Sequence, residues 1–524
     1  MDTKEILKFC VNKGLLLDPE LLKLFSETTD LEGAKLVLEK IKSHTNNKII
    51  TRALFEQNRN QVSEFFLELP KENQKKLERL KIKLGLQIEI SKETSVALNP
   101  KEEMEPTVMV NSRFPGTRKK IEVDDFVKNM RGRFHAIREI LQERTELENL
   151  ISISKLSKTR QGVSIIGMIS EKIVTKNRNI IFEVEDLTGR VRVLVNQNRP
   201  ELYKIAEEIS MDSVIGFSGF GDREIFFTNK IIFPDVALVE KKHAPVEENA
   251  IFISDLQFGS KLFLREPFDK FINYLSEENK DEEARKIKYL FIVGDLVSGV
   301  GVYPGQIKDL EIGDIEEQYN QLAEILNKVR KDIKIIISPG NHDGVRLMEP
   351  QPTLDEKYAW ALYEIPNVIM TGNPSYVNIA ARDGFSGFDI LLYHGFSYLY
   401  YANTVPSLIE EGVNAPEKIM AYLLKSRHLA PTHASIQYFP SEIDNHAIKK
   451  IPDVFVSGHL HNCAISSYNG VLLISNSTWE DETEYQRQKG NRRPDFCKVP
   501  MLNLKTRAIK VLDFEGDQLK GEEK

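Results

Sequence analysis

Cysteine is scarce in this sequence. The three present, Cys10, Cys463 and Cys497, lie far apart and without paired spacing. That excludes a disulfide scaffold and a thiolate zinc site, and points to a reducing compartment. No run of about 18 apolar residues occurs, so no membrane span is expected. The start, Met-Asp-Thr-Lys-Glu, lacks a signal-peptide pattern, and a cytoplasmic location is expected. There is no excess of positive charge either. A formal net charge of −7 argues against a protein that coats nucleic acid, though a local patch can still grip a short stretch. Internal repeats and long low-complexity tracts are missing. What is present, 41% hydrophobic and 28% charged residues, is the make-up of an ordinary soluble protein. A chain of 524 residues exceeds one core, and about three domains are expected.

Residues 1–75 read as a small helical domain. Ile6, Phe9, Cys10 and Val11 open one amphipathic pattern, Asp18-Pro19-Glu20 reads as a helix start, Leu21, Leu22, Leu24 and Phe25 follow, and Leu36, Leu38 and Ile41 mark another helix. Residues 76–146 hold a polar, acidic linker and then a connecting helix from Val123 to about Leu147. Its apolar face is Phe126, Phe134, Ile137, Ile140 and Leu141. Residues 147–242 change to strand patterns at 163–169, 181–184, 191–195, 214–220 and 225–233, with a short helix at 200–210. Asp186-Leu187-Thr188-Gly189 is the expected hairpin turn, with glycine supplying a positive φ. Five strands with a helix in the second half suggest an oligonucleotide-binding (OB) type barrel, without a clear aromatic platform for bases. From 243 to 524, short runs rich in β-branched residues alternate with helical stripes such as Ile315, Tyr319, Leu322, Leu326 and Val329. This is the pattern of an α/β sandwich with ligands on loops at strand ends. The fold class is therefore a multidomain α+β chain.

Five of those apolar runs end in metal-ligand types: Asp255-Leu256-Gln257, Gly294-Asp295, Gly340-Asn341-His342-Asp343, His394-Gly395 and Gly458-His459-Leu460-His461. Mixed oxygen and imidazole donors suit manganese, iron, zinc or magnesium. Asp255, Gln257, Asp295 and His461 are expected to hold one divalent ion, and Asp295, Asn341, His394 and His459 a second, with Asp295 bridging. Such a pair clamps a phosphate and acidifies a water between them. Gly294, Gly340 and Gly458 allow tight turns and close backbone approach. His342 is assigned to the phosphate and to protonation of the leaving oxygen, with Asp343 holding its ring. His44, His135, His243, His428, His433 and His446 sit in no such setting and read as ordinary surface or core histidines.

These five segments resemble the calcineurin-like metallophosphoesterase superfamily, with Gln257 standing where that family usually has histidine. More narrowly, residues from roughly 110 to 515 resemble the small subunits of archaeal family-D DNA polymerases. The features are the domain order, the helix Val123-Asp124-Asp125-Phe126-Val127 leading to Arg133-Phe134-His135-Ala136-Ile137-Arg138, and the ending Lys498-Val499-Pro500-Met501-Leu502-Asn503-Leu504. The resemblance implies a proofreading 3′–5′ exonuclease using two divalent ions, manganese first. It implies a large catalytic subunit as partner, DNA with a single-stranded 3′ end as substrate, and a sliding clamp as a further contact. It also implies that related eukaryotic subunits have lost the metal ligands, whereas this chain keeps nearly all. The amide of Gln257 is a neutral, weaker donor than imidazole, so the alternative is a scaffold subunit with a weakened site. A free-standing phosphodiesterase or protein phosphatase would need neither barrel nor helical domain. Arg118-Lys119-Lys120, Arg131, Arg133, Arg138, Arg144 and Arg492-Arg493 are candidate phosphate-backbone contacts, and Tyr398, Tyr400 and Tyr401 either stack on a base or pack the core.

Overall fold

The computed structural model describes residues 3–18, 35, 37–39, 49–50, 107–111, 114, 120–157, 162–484, 487 and 493–516. They fall into two units, Met1–Glu103 and Met104–Lys524. In the first, helix Thr3–Asn12 buries Ile6 and Cys10, and Leu16–Leu17 pairs in parallel with Ile49–Ile50. Val11 stays exposed, so the apolar stripe is narrower than the sequence suggests. The start at Pro19-Glu20, the stripe from Leu21 to Phe25, Leu36, Ile41 and His44 lie outside the described residues.

The second unit begins with strand β1 (Val108–Val110) and helix α1 (Val123–Gln142). By sequence pattern β1 falls inside a linker. It is instead an edge strand, held because Val108 and Val110 bring apolar side chains to the core shared by the sheets. Helix α1 starts with Asp124 and Asp125 in its first turn, where carboxylates favour the helix dipole, and the Asp125 side chain accepts the Glu122 N–H at 3.0 Å.

Five strands then close a barrel: β2 (Val163–Val174), β3 (Ile180–Asp186), β4 (Gly189–Val195), β5 (Val214–Gly221) and β6 (Ile225–Ile232), with helix α2 (Pro200–Glu207) between β4 and β5. The strand order is β2-β3-β4-β6-β5. Strict alternation does this: Phe182, Val184, Val191, Val193, Phe217 and Phe226 point inward and are buried. The β3–β4 turn departs from expectation, because Gly189 has no positive φ. Asp186 shapes it instead, its Oδ1 accepting Thr188 N, Thr188 Oγ1 and Gly189 N at 2.7, 2.7 and 2.9 Å.

The remainder is a sandwich. One six-stranded sheet has the order β10-β9-β8-β7-β16-β17, with β7 (Asn249–Ile253), β8 (Ile287–Val293), β9 (Lys334–Ser338), β10 (Val368–Met370), β16 (Lys498–Asn503) and β17 (Ile509–Asp513). The other runs β14-β15-β13-β12-β11-β1, with β11 (Ser375–Ile379), β12 (Phe388–Leu392), β13 (Val454–Ser457), β14 (Ala464–Tyr468) and β15 (Val471–Ser475). The strands β7, β8 and β9 are parallel, as are β12, β13 and β15. Phe252, Phe291 and Ile336 of one sheet meet Ile390, Val456 and Ile474 of the other across an apolar interior. Helix Ile315–Leu326 covers the outside of the first sheet and helix Pro416–Ser426 that of the second. Burial on both faces explains why these strands read as unbroken apolar runs. No described helix is long and apolar enough to cross a membrane, and among the described residues all three cysteines are free thiols.

Candidate metal centre

Every candidate ligand sits just past the carboxyl end of a parallel strand: Asp255 and Gln257 after β7, Asp295 after β8, Asn341 after β9, His394 after β12, His459 and His461 after β13. Five of these seven, Asp255, Gln257, Asp295, His459 and His461, hold a left-handed backbone with φ of 50, 51, 51, 70 and 58°. Side chains other than glycine rarely adopt it, and such strain persists only where the surroundings impose it. Here tight turns after fully buried strands impose it, and they bring the side chains toward one another at the strand ends.

The side chains converge. His394 Nε2 lies 3.4 Å from Asp295 Oδ2 and 3.1 Å from Asn341 Oδ1, while its Nδ1 faces the Val293 carbonyl at 3.0 Å. Gln257 Nε2 donates to Asp295 Oδ2 at 3.1 Å, and His461 Nε2 is 3.4 Å from Asp255 Oδ1. The His459 N–H donates to both Asp255 oxygens, at 3.2 and 3.0 Å. Ligand atoms of Asp295, His394 and His459 lie within 4.8 Å of one another. The Nε2 of His459 is buried without a hydrogen-bond partner, an aimed lone pair of the kind a cation satisfies. By donor chemistry and by this bare nitrogen, the residues fit a divalent metal site.

The electrostatics describe a site that draws positive charge to its carboxylates. Burial would raise Asp295, but His394 and His342 outweigh it and hold its carboxyl well below the usual range. Burial alone would lower His394. The carboxylates of Asp295 and Asp255 outweigh it and lift the ring to about 10. Burial and the neighbouring His394 push His459 down to about 3, which keeps it neutral.

Two glycines serve by absence of a side chain rather than by φ. A Cβ on Gly340 would lie 2.3 Å from Asp295 Oδ1, and one on Gly458 2.5 Å from Asp255 Oδ2. Gly294 also has a positive φ of 82°.

The expected partner of His342 is wrong. Asp343 does not hold its ring. Its oxygens accept Gly340 N at 2.8 Å, Leu296 N at 3.1 Å and the Tyr319 hydroxyl at 3.1 Å, so it clamps two ligand loops together. Burial and the Asp295 charge push it up to about 6. The His342 ring meets the Ser298 carbonyl through Nδ1 at 2.9 Å, and its backbone N–H donates to Asp295 Oδ1 at 2.8 Å.

Residues without any local signal support the site. Asn373 Oδ1 accepts the His394 N–H at 2.9 Å, and its Nδ2 donates to Glu349 Oε1 at 3.2 Å and Gln351 Oε1 at 2.8 Å. Glu349 meets His446 Nε2 at 3.2 Å, and Asp444 meets His428 Nε2 at 2.9 Å and Arg133 Nε at 2.7 Å. A buried polar chain thus runs from helix α1 to a candidate ligand. Arg133, a phosphate contact by sequence pattern, is 3% exposed and paired inward. Arg144 likewise donates to the carbonyls of Pro234 and Asp235. Arg118, Lys119 and Arg492 lie outside the described residues. Tyr398 and Tyr401 are fully buried core rings, and Tyr400 packs its edge on Tyr401, so packing claims all three.

Comparison with known proteins fits this architecture. The family of DNA polymerase alpha/epsilon B subunits matches residues 250–464. The chain is 38% identical over 412 residues to the DNA polymerase II small subunit of Pyrococcus furiosus, covering 76% of this chain and 65% of that protein. It therefore spans just under two thirds of the length of that relative. It is 37% identical over 398 residues to the DNA polymerase II small subunit of Methanothermobacter thermautotrophicus, covering 75% of this chain and 80% of that protein. Among solved structures, an archaeal phosphodiesterase is 14% identical with a TM-score of 0.24, over 50% of this chain and 98% of that one. Shared sequence across four fifths of a known small subunit decides the matter: the chain belongs to the DNA polymerase II small-subunit family.

Proposed function

We propose that this chain is the small subunit of a family-D DNA polymerase, that it works beside a large catalytic subunit, and that its sandwich is a calcineurin-like phosphoesterase hydrolysing DNA from the 3′ end. The observation that carries the reading is the approach of Asp295, His394 and His459 ligand atoms to within 4.8 Å of one another, with Gln257 and Asn341 in contact with that group, Asp255 and His461 beside it, and His459 Nε2 unpartnered there. In our division, residues 1–75 are a helical domain, 76–146 a linker and connecting helix, 147–242 an OB-type barrel and 243–524 the catalytic sandwich. The barrel assignment rests on its strand order and on a helix between its third and fourth strands. A sliding clamp is a further partner in this reading, and the cytoplasm its location.

Asp255, Gln257, Asp295 and His461 would hold one ion, and Asp295, Asn341, His394 and His459 the other. Manganese is the expected metal, with iron, zinc and magnesium as substitutes. When bound, such a pair neutralises a phosphate and acidifies a water. Gln257 would have to turn its amide so that oxygen, not nitrogen, faces the ion. With its Nδ1–H donating to the Ser298 carbonyl, His342 turns Nε2 free of that bond, and as the doubly protonated imidazolium it would give the Nε2 proton to the leaving 3′-oxygen. Asp343, Gly340 and Gly458 keep the loops close enough for this geometry.

One residue favours a second reading. Gln257 in place of histidine weakens one ion's donor set, as suits a scaffold subunit. The test offers the full chain, alone and with the large subunit, single-stranded DNA, a mismatched primer and a generic phosphate ester in manganese. Release of nucleoside 5′-monophosphates that disappears in His342→Ala and Asp295→Asn supports the exonuclease. Inactivity on every substrate in both settings supports the scaffold.

A further inference from the structure

Phe220 and Phe227 stand side by side on the outer surface of the barrel. They are seven positions apart, and the antiparallel register of β5 and β6 sets them directly opposite. Their ring centroids are 5.6 Å apart at an interplanar angle of 21°, and the two residues are 41% and 39% exposed. The neighbouring inward rings, Phe217 and Phe226, are fully buried, so the outer pair adds nothing to the barrel interior. Leu194 of β4 continues the row beside Phe227. Two stacked aromatic rings left open to water call for an occupant.

Charge says which. Residues 189–199 and 222–232, which frame the pair, hold Arg190, Arg192, Arg199, Arg223 and Lys230 against Asp222 and Glu224, and of these cations Arg190 is paired with Glu185 on the next strand. On a chain of net charge −7 this is a local positive patch. Asp222 is turned into its own loop, accepting the N–H groups of Glu224 and Ile225. Glu183 stands across the strand from Arg192. Among the described residues, Arg192, Arg199 and Lys230 form no ion pair, and all three are exposed; Arg199 reaches only the amide oxygen of Asn229, at 2.7 Å. Flat rings flanked by unpaired cations suit bases with phosphates between them, whereas an apolar protein partner would leave those cations without counter-charge.

We propose that this face of the barrel binds single-stranded nucleic acid, with bases stacking on Phe220 and Phe227 and phosphates meeting Arg192, Arg199 and Lys230. The site lies outside the metal centre and stands whether or not that centre is catalytic. The experiment is fluorescence anisotropy of a labelled oligothymidylate with the full chain in EDTA, where no metal-dependent cleavage occurs. Phe220→Ala/Phe227→Ala is expected to weaken binding about tenfold or more, and Phe220→Leu/Phe227→Leu nearly as much, because stacking and not apolar area is lost. Arg192→Gln should weaken binding and flatten its salt dependence by about one unit of slope. Lys270→Gln, an exposed cation on a helix of the sandwich, should bind like wild type. No binding by wild type, binding within twofold by the alanine pair, or full retention by the leucine pair would overturn the proposal, the last pointing to a protein-docking face. A wild-type chain that binds the oligonucleotide but shows no nuclease activity in manganese, alone or with the large subunit, would count against the exonuclease reading alone.

Discussion

Replacing Gly340 with alanine tests the close approach on which the metal centre depends. Gly340 needs no special φ, so alanine fits its backbone, and only the added methyl matters. That carbon would sit 2.3 Å from Asp295 Oδ1 and 2.5 Å from the Asp295 backbone nitrogen, where real Cβ atoms essentially never come below 3.0 Å. A gap of about 0.7 Å must be made up by the Asp295 carboxylate or its loop, at an overpacking cost of about 1–3 kcal/mol. Displacement on that scale at a reacting centre costs up to about 100-fold in function. Gly344→Ala, four residues along the same loop, is the control. Its nearest atom would be Ile315 Cδ1 at 3.3 Å, the end of a side chain that can give. Calorimetric titration of manganese into the full chain is expected to show roughly 10–100-fold weaker binding for Gly340→Ala and little change for Gly344→Ala. Equal affinity in wild type and Gly340→Ala would refute the reasoning, as would equal losses in both variants.

Gln257→His supplies an imidazole where a neutral amide now stands and should tighten binding of one ion; identical manganese titrations would remove Gln257 from the ligand set. Arg133→Met keeps the packed stem but takes the guanidinium from Asp444, leaving it His428 and the His446 N–H, and should cost about 3–5 kcal/mol in urea unfolding. Arg133→Met/Asp444→Asn should recover much of that loss, and a single-variant cost below about 1 kcal/mol would contradict a buried ion pair here. His446 sets an alkaline limit. Burial would lower it, but hydrogen bonds to Asp444 and Glu349 raise it from 6.5 to about 9. A raised folded value stabilises fully below the unfolded value and is lost as pH climbs through about 9. Wild-type unfolding midpoints should therefore fall between about pH 7 and 10, and those of His446→Gln should fall less. Parallel curves would show that His446 carries no such linkage.

Much of the α/β sandwich was legible because its signals are local. Strands buried on both faces must be continuous apolar runs, and ligand types set straight after them mark loops at strand ends. The helix at 315–326 and the barrel strands were visible for the same reason, since period and alternation are written within a few residues. The seven candidate ligands were named from residue type and order alone.

Partnerships were not legible. Asp343 adjoins His342 in the chain, yet it clamps Gly340, Leu296 and Tyr319 instead, because the loop turns it inward. Arg133 reads as a surface cation and is buried against Asp444, 311 positions away. Phe220 and Phe227 read as two strand residues, and only the register makes them a stacked pair. Residue identity and short-range periodicity therefore determined the element types and the chemistry on offer. Which groups meet, and which left-handed backbones the ligands must bear, was decided by sheet register and packing, since a contact across hundreds of residues leaves no trace in the neighbours of either partner.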